Sequence, residues 1–380
     1  MDTTIARGLA GVTFDTSEIC FIDGEQGQLI YRGYDIRELT DATFEEVCYL
    51  LWHDDLPTAD ELAAFTRQLS PGFAVRDEVI DLFRALPAGT DPMHALRSAV
   101  SLLAAFDEDP DGVDDANLRR IGRTLLTQFP ALVSSFERIR NGKEPVEPDS
   151  SLSIAGNFLY MLTGERPSEA ATRVMDVALV LHAEHGSNAS TFVARSTASS
   201  LTDAYSAITA AIGSLKGPLH GGANAAVMRA LESIGSVEGV EPYVLDVLAK
   251  PQGRVMGFGH RVYRVLDPRA KILEDVSKTL AAESGDSRWF EMSLEMVRVM
   301  DREMAAKGRQ VKANVDFFSA SVYRMLGFPT DMYTPIFAVA RISGWMAHLY
   351  EQYADNSLMR PRLAYEGPTG RTFVPIEERG

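Results

Sequence analysis

Apolar residues recur at helical spacing along most of the chain. The apolar side chains at 93, 96, 100 and 103, for example, would fall on one face of a helix. Thr43 and Thr58 are each followed three residues later by Glu, the capping-box pattern that opens a helix. The pattern predicts helices over 44–52, from 58 onward, and over 91–106, 118–139, 151–163, 169–185, 202–215, 223–234, 268–282, 287–307, 317–326 and 335–353.

One stretch near the N-terminus has a different pattern. Residues 21–34, FIDGEQGQLIYRGY, alternate loosely around the turn GEQG, which predicts a β-hairpin. The rest of the chain shows neither an internal repeat nor a low-complexity tract. At 380 residues it is long enough for two domains, or for one large domain with a satellite. We therefore expect an all-α protein with a short N-terminal β-hairpin.

Charge and cysteine content narrow the possible partners. The net charge of −16 argues against nucleic acid, which a basic surface would bind. Cys20 and Cys48 lie in apolar surroundings without a CxxC pair, as expected of buried thiols in a reducing compartment. The N-terminus lacks the apolar core of a leader, and no apolar run could cross a bilayer. We expect a cytoplasmic protein that binds neither membrane nor nucleic acid.

Most of the basic residues are Arg. Seven of the 37 basic residues are Lys, at positions 143, 216, 250, 271, 278, 307 and 312, and the others are Arg. An acidic surface with few Lys is typical of a protein from a high-salt cytoplasm, because salt screens the repulsion between its charges. Our hypothesis is that the protein is halophilic.

Two partial motifs resemble metal sites. The acidic run 107–112, DEDPDG, resembles the start of a calcium loop, but its twelfth position is Leu118 instead of Glu. His182 and His185 would lie close together on a helix, but the HExxH pattern is absent and no third ligand is near in sequence. We expect no metal site at either place.

The stretch 255–270, VMGFGHRVYRVLDPRA, concentrates chemistry suited to an anionic ligand. Gly257 and Gly259 allow the backbone to approach a ligand closely, and His260 follows them directly. Three Arg come next, and Arg is well suited to bidentate capture of carboxylate or phosphate. The third glycine of a dinucleotide-binding fingerprint is missing.

Two further residues lie where helices are predicted to begin. His220, in GPLHGGAN, precedes a helix N-terminus, which disfavours imidazolium and leaves a neutral hydrogen-bond donor. Asp316 lies in the first turn of a helix capped by Asn314, where the helix dipole favours the carboxylate form that a general base needs. Taken singly, each residue also fits a structural role.

Taken together, the segments GPLHGGAN, MGFGHRVYRVLDPRA and KANVDFFSA closely resemble the signature segments of the citrate synthase family. The opening GVTFDTSEICFIDGEQGQLIYRGYDI and the closing FAVARISGWMAHLYEQ and RPRLAYEGP extend this resemblance over essentially the whole chain. The chain is most similar to the shorter form found in archaea and many Gram-positive bacteria. The resemblance to the shorter form implies that the extra N-terminal region of the NADH-inhibited enzymes is not expected here, which argues against regulation by NADH.

The resemblance implies a reaction and the residues that perform it. Acetyl-CoA and oxaloacetate would condense to citryl-CoA, which water hydrolyses to citrate and CoA, with attack on the si face of the ketone. No tightly bound cofactor is implied, because the CoA thioester is a co-substrate. Asp316 would remove the methyl proton, His220 would hydrogen-bond the thioester oxygen, and His260 would polarise the ketone.

The resemblance also implies the binding residues. Oxaloacetate would be held by His185, Arg269 and Arg341, with Arg360 reaching across from the partner subunit of a homodimer. The residues implied for CoA are Val255, Met256, Gly257, Phe258, Gly259, Arg264 and Lys312.

The implied architecture is the citrate synthase fold with two helical domains. A large domain would comprise residues 1–220 and 328–380 and carry the dimer interface and the oxaloacetate site. An inserted small domain, 221–327, would bind CoA and close over the substrates.

Three alternatives stay open at this point. 2-Methylcitrate synthase applies the same machinery to propionyl-CoA, and one methylene is worth only about 1–3 kcal/mol of discrimination. A lyase would cleave citryl-CoA. A non-catalytic CoA-binding helical dimer would be expected to have lost His220, His260 or Asp316, and all three are present.

Overall fold

A small antiparallel sheet precedes the helices. The computed structural model describes residues 5–9 and 11–379. Strands β1 (Cys20–Asp23) and β2 (Gln28–Tyr31) form the predicted hairpin, which is confirmed. A third strand, β3 (Tyr34–Asp35), pairs with β2 and was not predicted. Arg32 and Gly33 both have positive φ, so the chain reverses within two residues and Ile30 pairs with Asp35.

Helices form most of the remaining described chain, and the predicted all-α class is confirmed. The first eight are α1 (Phe44–His53), α2 (Ala59–Leu69), α3 (Asp77–Ala85), α4 (Pro92–Leu103), α5 (Asp115–Arg140), α6 (Ile154–Thr163), α7 (Glu169–Ala183) and α8 (Ala189–Ala198). The last seven are α9 (Ala204–Leu215), α10 (Ala223–Ile234), α11 (Val240–Ala249), α12 (Pro268–Ser284), α13 (Arg288–Ala306), α14 (Val315–Met325) and α15 (Tyr333–Ala354).

Local capping explains where several helices begin and end. Thr43 and Thr58 both form the predicted capping boxes, at the starts of α1 and α2. Helix α7 ends at Ala183, two residues before the predicted end, because Glu184 is extended. Helices α3, α8 and α11 were not predicted.

The helices pack in two groups that meet at α10 and α15. Helix α15 is buried along most of its length and packs on α1, α5, α7, α8 and α9. Helices α10 to α14 pack chiefly on one another, with α14 against α10, α12 and α13. Contacts of α10 with α15 and of α12 with α7 join the groups. The segments that carry the predicted catalytic residues lie along this junction.

The two partial metal motifs serve other purposes. Asp107 accepts hydrogen bonds from Arg120 and Tyr205, which ties the acidic loop to α5 and α9. The ring of His182 lies 2.8 Å from the carbonyl of Ala178, measured from Nδ1. Within residues 5–9 and 11–379, no group of three or more His, Cys, Asp or Glu could hold a metal ion. No helix in this part of the chain is long and apolar enough to span a membrane.

Candidate active site

Backbone hydrogen bonds join the loop that carries His260 to the segment that leads into Asp316. The amide of Gly259 donates to the carbonyl of Lys312 at 2.8 Å, and the amide of Asn314 donates to Gly257 at 2.9 Å. The side-chain amide of Asn314 also donates to the carbonyl of Gly259 at 2.9 Å. These bonds fix the two segments, more than fifty residues apart in sequence, side by side.

The ring of His260 is held in one tautomer. The backbone amides of Val262 and Tyr263 donate to its Nδ1 at 3.0 and 3.2 Å. Because Nδ1 accepts, the neutral ring carries its proton on Nε2, which is then a hydrogen-bond donor. Burial and the positive charge of Arg269 lower the pKa of His260 to about 4, so the ring is neutral at physiological pH.

His220, at the junction of α9 and α10, is oriented by Ser190 of α8. The amide of Ser190 donates to Nε2 of His220 at 3.3 Å, and the hydroxyl of Ser190 lies 2.8 Å from the same nitrogen. Trp345 donates to that hydroxyl at 3.1 Å. With Nε2 accepting, the neutral ring offers Nδ1–H as its donor. Burial and the charge of Arg341 lower the pKa of His220 to about 4.

Asp316 lies in the first turn of α14, which Asn314 caps. The side chain of Asn314 accepts from the Asp316 amide at 3.0 Å, as the sequence predicts. Oδ1 of Asp316 is shielded from solvent and has no hydrogen-bond partner among the described residues. Burial raises the pKa of Asp316 to about 6, which still leaves the carboxylate form at neutral pH. The group is ionised above that pH and weakly solvated, as suits a base.

Two buried guanidinium groups lie nearby. Arg269 is 2% exposed and is held by a bidentate pair with Asp267, with N–O distances of 3.0 and 2.8 Å. Burial alone would lower the pKa of Arg269, but the Asp267 carboxylate raises it, so the group is firmly charged. Arg341 is 1% exposed; its Nε donates to the carbonyl of His182 at 2.8 Å, and one terminal nitrogen has no partner in the described structure. A buried, unpaired guanidinium N–H suits an anionic ligand.

His185 belongs to the same cluster. Its ring centre lies 5.3 Å from that of His260, and its Nε2 lies 3.2 Å from the hydroxyl of Tyr263. Burial, with the charge of Arg269, lowers the pKa of His185 well below its usual value. The site therefore combines neutral imidazoles with two fixed positive charges.

A cavity of about 210 Å³ opens beside His260. Arg264 and Lys312, both predicted to contact CoA, line it together with Tyr263. Lys312 is paired with Asp301 at 2.9 Å, and Arg264 lies 3.9 Å from Glu25.

The stretch 255–259, which is also predicted to contact CoA, reaches this cavity at Gly259. The side chains of Val255 and Phe258 are buried, whereas that of Met256 is exposed. Gly257 and Gly259 have φ of +79° and +83°, which favours glycine at both positions. A Cβ on Gly257 would also lie 2.9 Å from the ring of Phe317.

Arg360 is not brought into this cluster. It lies in the exposed, extended segment that follows α15, with no hydrogen bond or ion pair to the described part of its own chain. Sequence reasoning also missed two residues that the structure brings to the site, Ser190 and Tyr263. Ser190 belongs to the unpredicted helix α8. Tyr263 lies inside the stretch 255–270, but the sequence predicts no role for it.

Comparison with known proteins shows which family the chain belongs to. Residues 8–362 match the family described as citrate synthase, C-terminal domain. The chain belongs to the citrate synthase family. A citrate synthase of Haloferax volcanii is 49% identical over the full length of both chains, and citrate synthase 2 of Bacillus subtilis is 50% identical over 99% of this chain and 100% of its own. The predicted resemblance is therefore confirmed.

Two further proteins similar to this citrate synthase family member have names that mention a product or bound substrates. A 2-methylcitrate synthase of Corynebacterium glutamicum is 41% identical over 100% of this chain and 99% of its own. The citrate synthase of Thermoplasma acidophilum, solved as a ternary complex with carboxymethyl coenzyme A and oxaloacetate, is 33% identical, covers 99% of this chain and 100% of its own, and superposes with a TM-score of 0.92. The predicted citrate synthase fold is confirmed.

Proposed function

We propose that the protein condenses acetyl-CoA with oxaloacetate and hydrolyses citryl-CoA to citrate and CoA. The observation that carries this proposal is the set of hydrogen bonds to His220 and His260. Each ring accepts a backbone N–H at one nitrogen and is neutral, so each offers one N–H donor at the other. Two neutral donors beside a weakly solvated carboxylate are what an enolisation and condensation require.

The chemistry proceeds in three steps. Asp316 takes a proton from the methyl group of the thioester. The electron pair of that C–H bond forms the C=C bond of an enolate, and negative charge develops on the thioester oxygen. Nδ1–H of His220 stabilises the charge that develops on the thioester oxygen, an effect worth about 3–4 kcal/mol for one preorganised donor. The new carbon nucleophile attacks the ketone carbon of oxaloacetate, and the π electrons of the C=O bond move to its oxygen, which takes the Nε2 proton of His260 and becomes the hydroxyl of citryl-CoA. Water then cleaves the thioester to a carboxylate and CoA thiol. Asp316 releases its proton to solvent, and His260 regains one from solvent.

Oxaloacetate is held by Arg269, Arg341 and His185 in this proposal. Its two carboxylates match the two buried guanidinium groups, and the positive charges also favour an ionised Asp316. Arg360 of the second subunit supplies a further cation, so the functional unit is a homodimer. The exposed apolar side chains of the C-terminal segment support this, since Leu363 and Phe373 are 95% and 79% exposed in the single chain.

The CoA thioester is placed across the junction of the two helix groups. Its phosphates meet Arg264 and Lys312, and its adenine rests on the backbone of 255–259. Residues 221–327 form a small domain that closes on the large domain of 1–220 and 328–380. The mutual packing of α10 to α14 supports this division. No tightly bound cofactor takes part, since the CoA thioester is consumed.

The setting of the enzyme is also a proposal. We place it in the cytoplasm, in view of the two free thiols of Cys20 and Cys48. Its net charge of −16 supports adaptation to high salt. We expect activity and thermal stability to rise with KCl concentration. Full activity and stability without added salt would contradict the halophilic assignment.

The propionyl-CoA reaction is the second candidate function, because one of the similar proteins is a 2-methylcitrate synthase. The test of both is oxaloacetate-dependent release of free CoA thiol, measured with acetyl-CoA and propionyl-CoA in parallel. We expect a higher kcat/KM with acetyl-CoA. A higher value with propionyl-CoA would assign the second function. Consumption of citryl-CoA without net hydrolysis would indicate the lyase, and absence of turnover would indicate a non-catalytic CoA-binding dimer.

A further inference from the structure

Tyr263 contacts two histidines of the site through two different groups. Its backbone amide donates to Nδ1 of His260 at 3.2 Å, and its hydroxyl lies 3.2 Å from Nε2 of His185. Its ring centre is 4.8 Å from that of His260 and 5.6 Å from that of His185. The side chain lines the cavity beside His260, although the residue is only 4% exposed.

The direction of the hydroxyl hydrogen bond follows from its surroundings. A buried phenolic O–H needs an acceptor, and Nε2 of His185 is the hydrogen-bond partner of the Tyr263 hydroxyl within the described residues. The O–H therefore donates to Nε2. A neutral imidazole that accepts at Nε2 carries its proton on Nδ1, so Nδ1–H becomes the donor that His185 can offer a ligand.

We propose that Tyr263 is a positioning residue for the keto acid: its hydroxyl fixes the tautomer and the ring orientation of His185. This rests on the proposed function, because it takes oxaloacetate as the ligand of His185. Without the hydroxyl, the ring can place its proton on either nitrogen and can rotate. Only a fraction of the molecules would then present Nδ1–H to the substrate.

The first variant is Y263F, which removes the hydroxyl but keeps the ring and the backbone amide that supports His260. We expect the Kd for oxaloacetate, measured by calorimetry, to rise roughly 3- to 10-fold, the usual effect of losing one neutral hydrogen bond. The KM for acetyl-CoA should change less than about twofold, because His220 and Asp316 are untouched. An unchanged oxaloacetate Kd in Y263F would overturn the proposal.

A double-mutant cycle separates positioning from direct substrate contact. If Tyr263 acts through His185, adding Y263F to H185A should weaken oxaloacetate binding by less than about twofold further. If the penalty of Y263F is the same in both backgrounds, the hydroxyl does not act through His185 and the proposal is wrong. Should H185A fail to fold, H185Q serves as the second background.

A matched control is Y205F. The hydroxyl of Tyr205 is likewise buried and donates to Asp107 at 2.6 Å, on the loop before α5. Loss of the Tyr205 hydroxyl should lower thermal stability without changing the oxaloacetate Kd. A change in Kd with Y205F would mean that losing any buried tyrosine hydroxyl weakens binding. The two proposals fail differently: a wild-type protein without oxaloacetate-dependent thiol release refutes the function, whereas an active wild type with normal binding by Y263F refutes only the role of Tyr263.

Discussion

Gly24, in the turn of the β1–β2 hairpin, lies directly against the backbone carbonyl of Val262, two residues after His260. A Cβ at position 24 would be 2.3 Å from that oxygen. The amide of Arg264 also donates to the carbonyl of Gly24 at 2.8 Å. The hairpin therefore supports the loop that orients His260, although the two are more than 230 residues apart in sequence.

The substitution G24A tests this support. Gly24 has no positive φ, so the effect should be steric: the loop must shift, and we expect a loss of about 1–3 kcal/mol of unfolding free energy together with a higher KM for oxaloacetate. The control is G89A, where a Cβ would meet nothing within 4 Å. If G24A has the kinetics and melting temperature of G89A, the hairpin does not hold the loop.

The pKa of Asp316 sets the expected pH dependence of the rate. The base must be ionised, and burial raises its pKa to about 6, so kcat/KM for acetyl-CoA should fall about tenfold per pH unit below pH 6. His220 and His260, with pKa values of about 4, stay neutral and should add no inflection between pH 5 and 8. A profile that is flat down to pH 5, in enzyme that recovers full activity at pH 7.5, would contradict this assignment.

Local signals in the sequence account for much of the fold. The capping boxes at Thr43 and Thr58 and the Asn314 cap each involve neighbours three or fewer residues apart, and all form as predicted. Helix α8 was missed because two Ser, two Thr and one Val, which do not favour helices, make up half of its sequence ASTFVARSTA. It is helical because Asn188 caps it and it packs on α9 and α15.

The details of the site could not be predicted in the same way. The residues that orient His220 and His185 are Ser190 and Tyr263, which are 30 and 78 residues away from them in sequence. Nothing local indicates such contacts. The pKa of Asp316 depends likewise on burial by the whole fold, which the position at a helix terminus does not indicate.

The buried carboxyl of Asp316 should lower the free energy of unfolding at neutral pH. Its pKa is raised on folding, from its ordinary value of 3.8 to about 6. Its stabilising contribution is therefore present below pH 4 and is lost as the pH rises to 6, which leaves a penalty of about 3 kcal/mol at neutral pH. We expect D316N to unfold at a higher temperature than wild type at pH 7.5 and at the same temperature near pH 4. A less stable D316N at pH 7.5 would show that the carboxylate is compensated.

Arg360 should act in the neighbouring subunit. We expect R360A to weaken oxaloacetate binding roughly 10- to 100-fold, the effect of losing a charge-assisted hydrogen bond, while acetyl-CoA binding is nearly unchanged in calorimetry. R362A, two residues along the same exposed segment, is the control and should bind normally. An oxaloacetate affinity of R360A equal to that of R362A would refute the assignment.

Subunit mixing tests whether Arg360 crosses the interface. In a hybrid of R360A and D316N subunits, one of the two sites regains both groups only if Arg360 comes from the partner. Equal mixing should then restore about a quarter of wild-type activity, because half of the dimers are hybrids and half of their sites are intact. No recovery after verified subunit exchange would place Arg360 in its own subunit's site.

The central claim is that Asp316 is the base between two neutral imidazole donors. Its most direct test is the rate of CoA thiol release by D316N with saturating oxaloacetate and acetyl-CoA, with the binding of both substrates measured on the same preparation. We predict a loss of kcat of roughly 10²- to 10⁴-fold with both dissociation constants within about threefold of wild type. A D316N enzyme that keeps more than about a tenth of the wild-type kcat would contradict the claim.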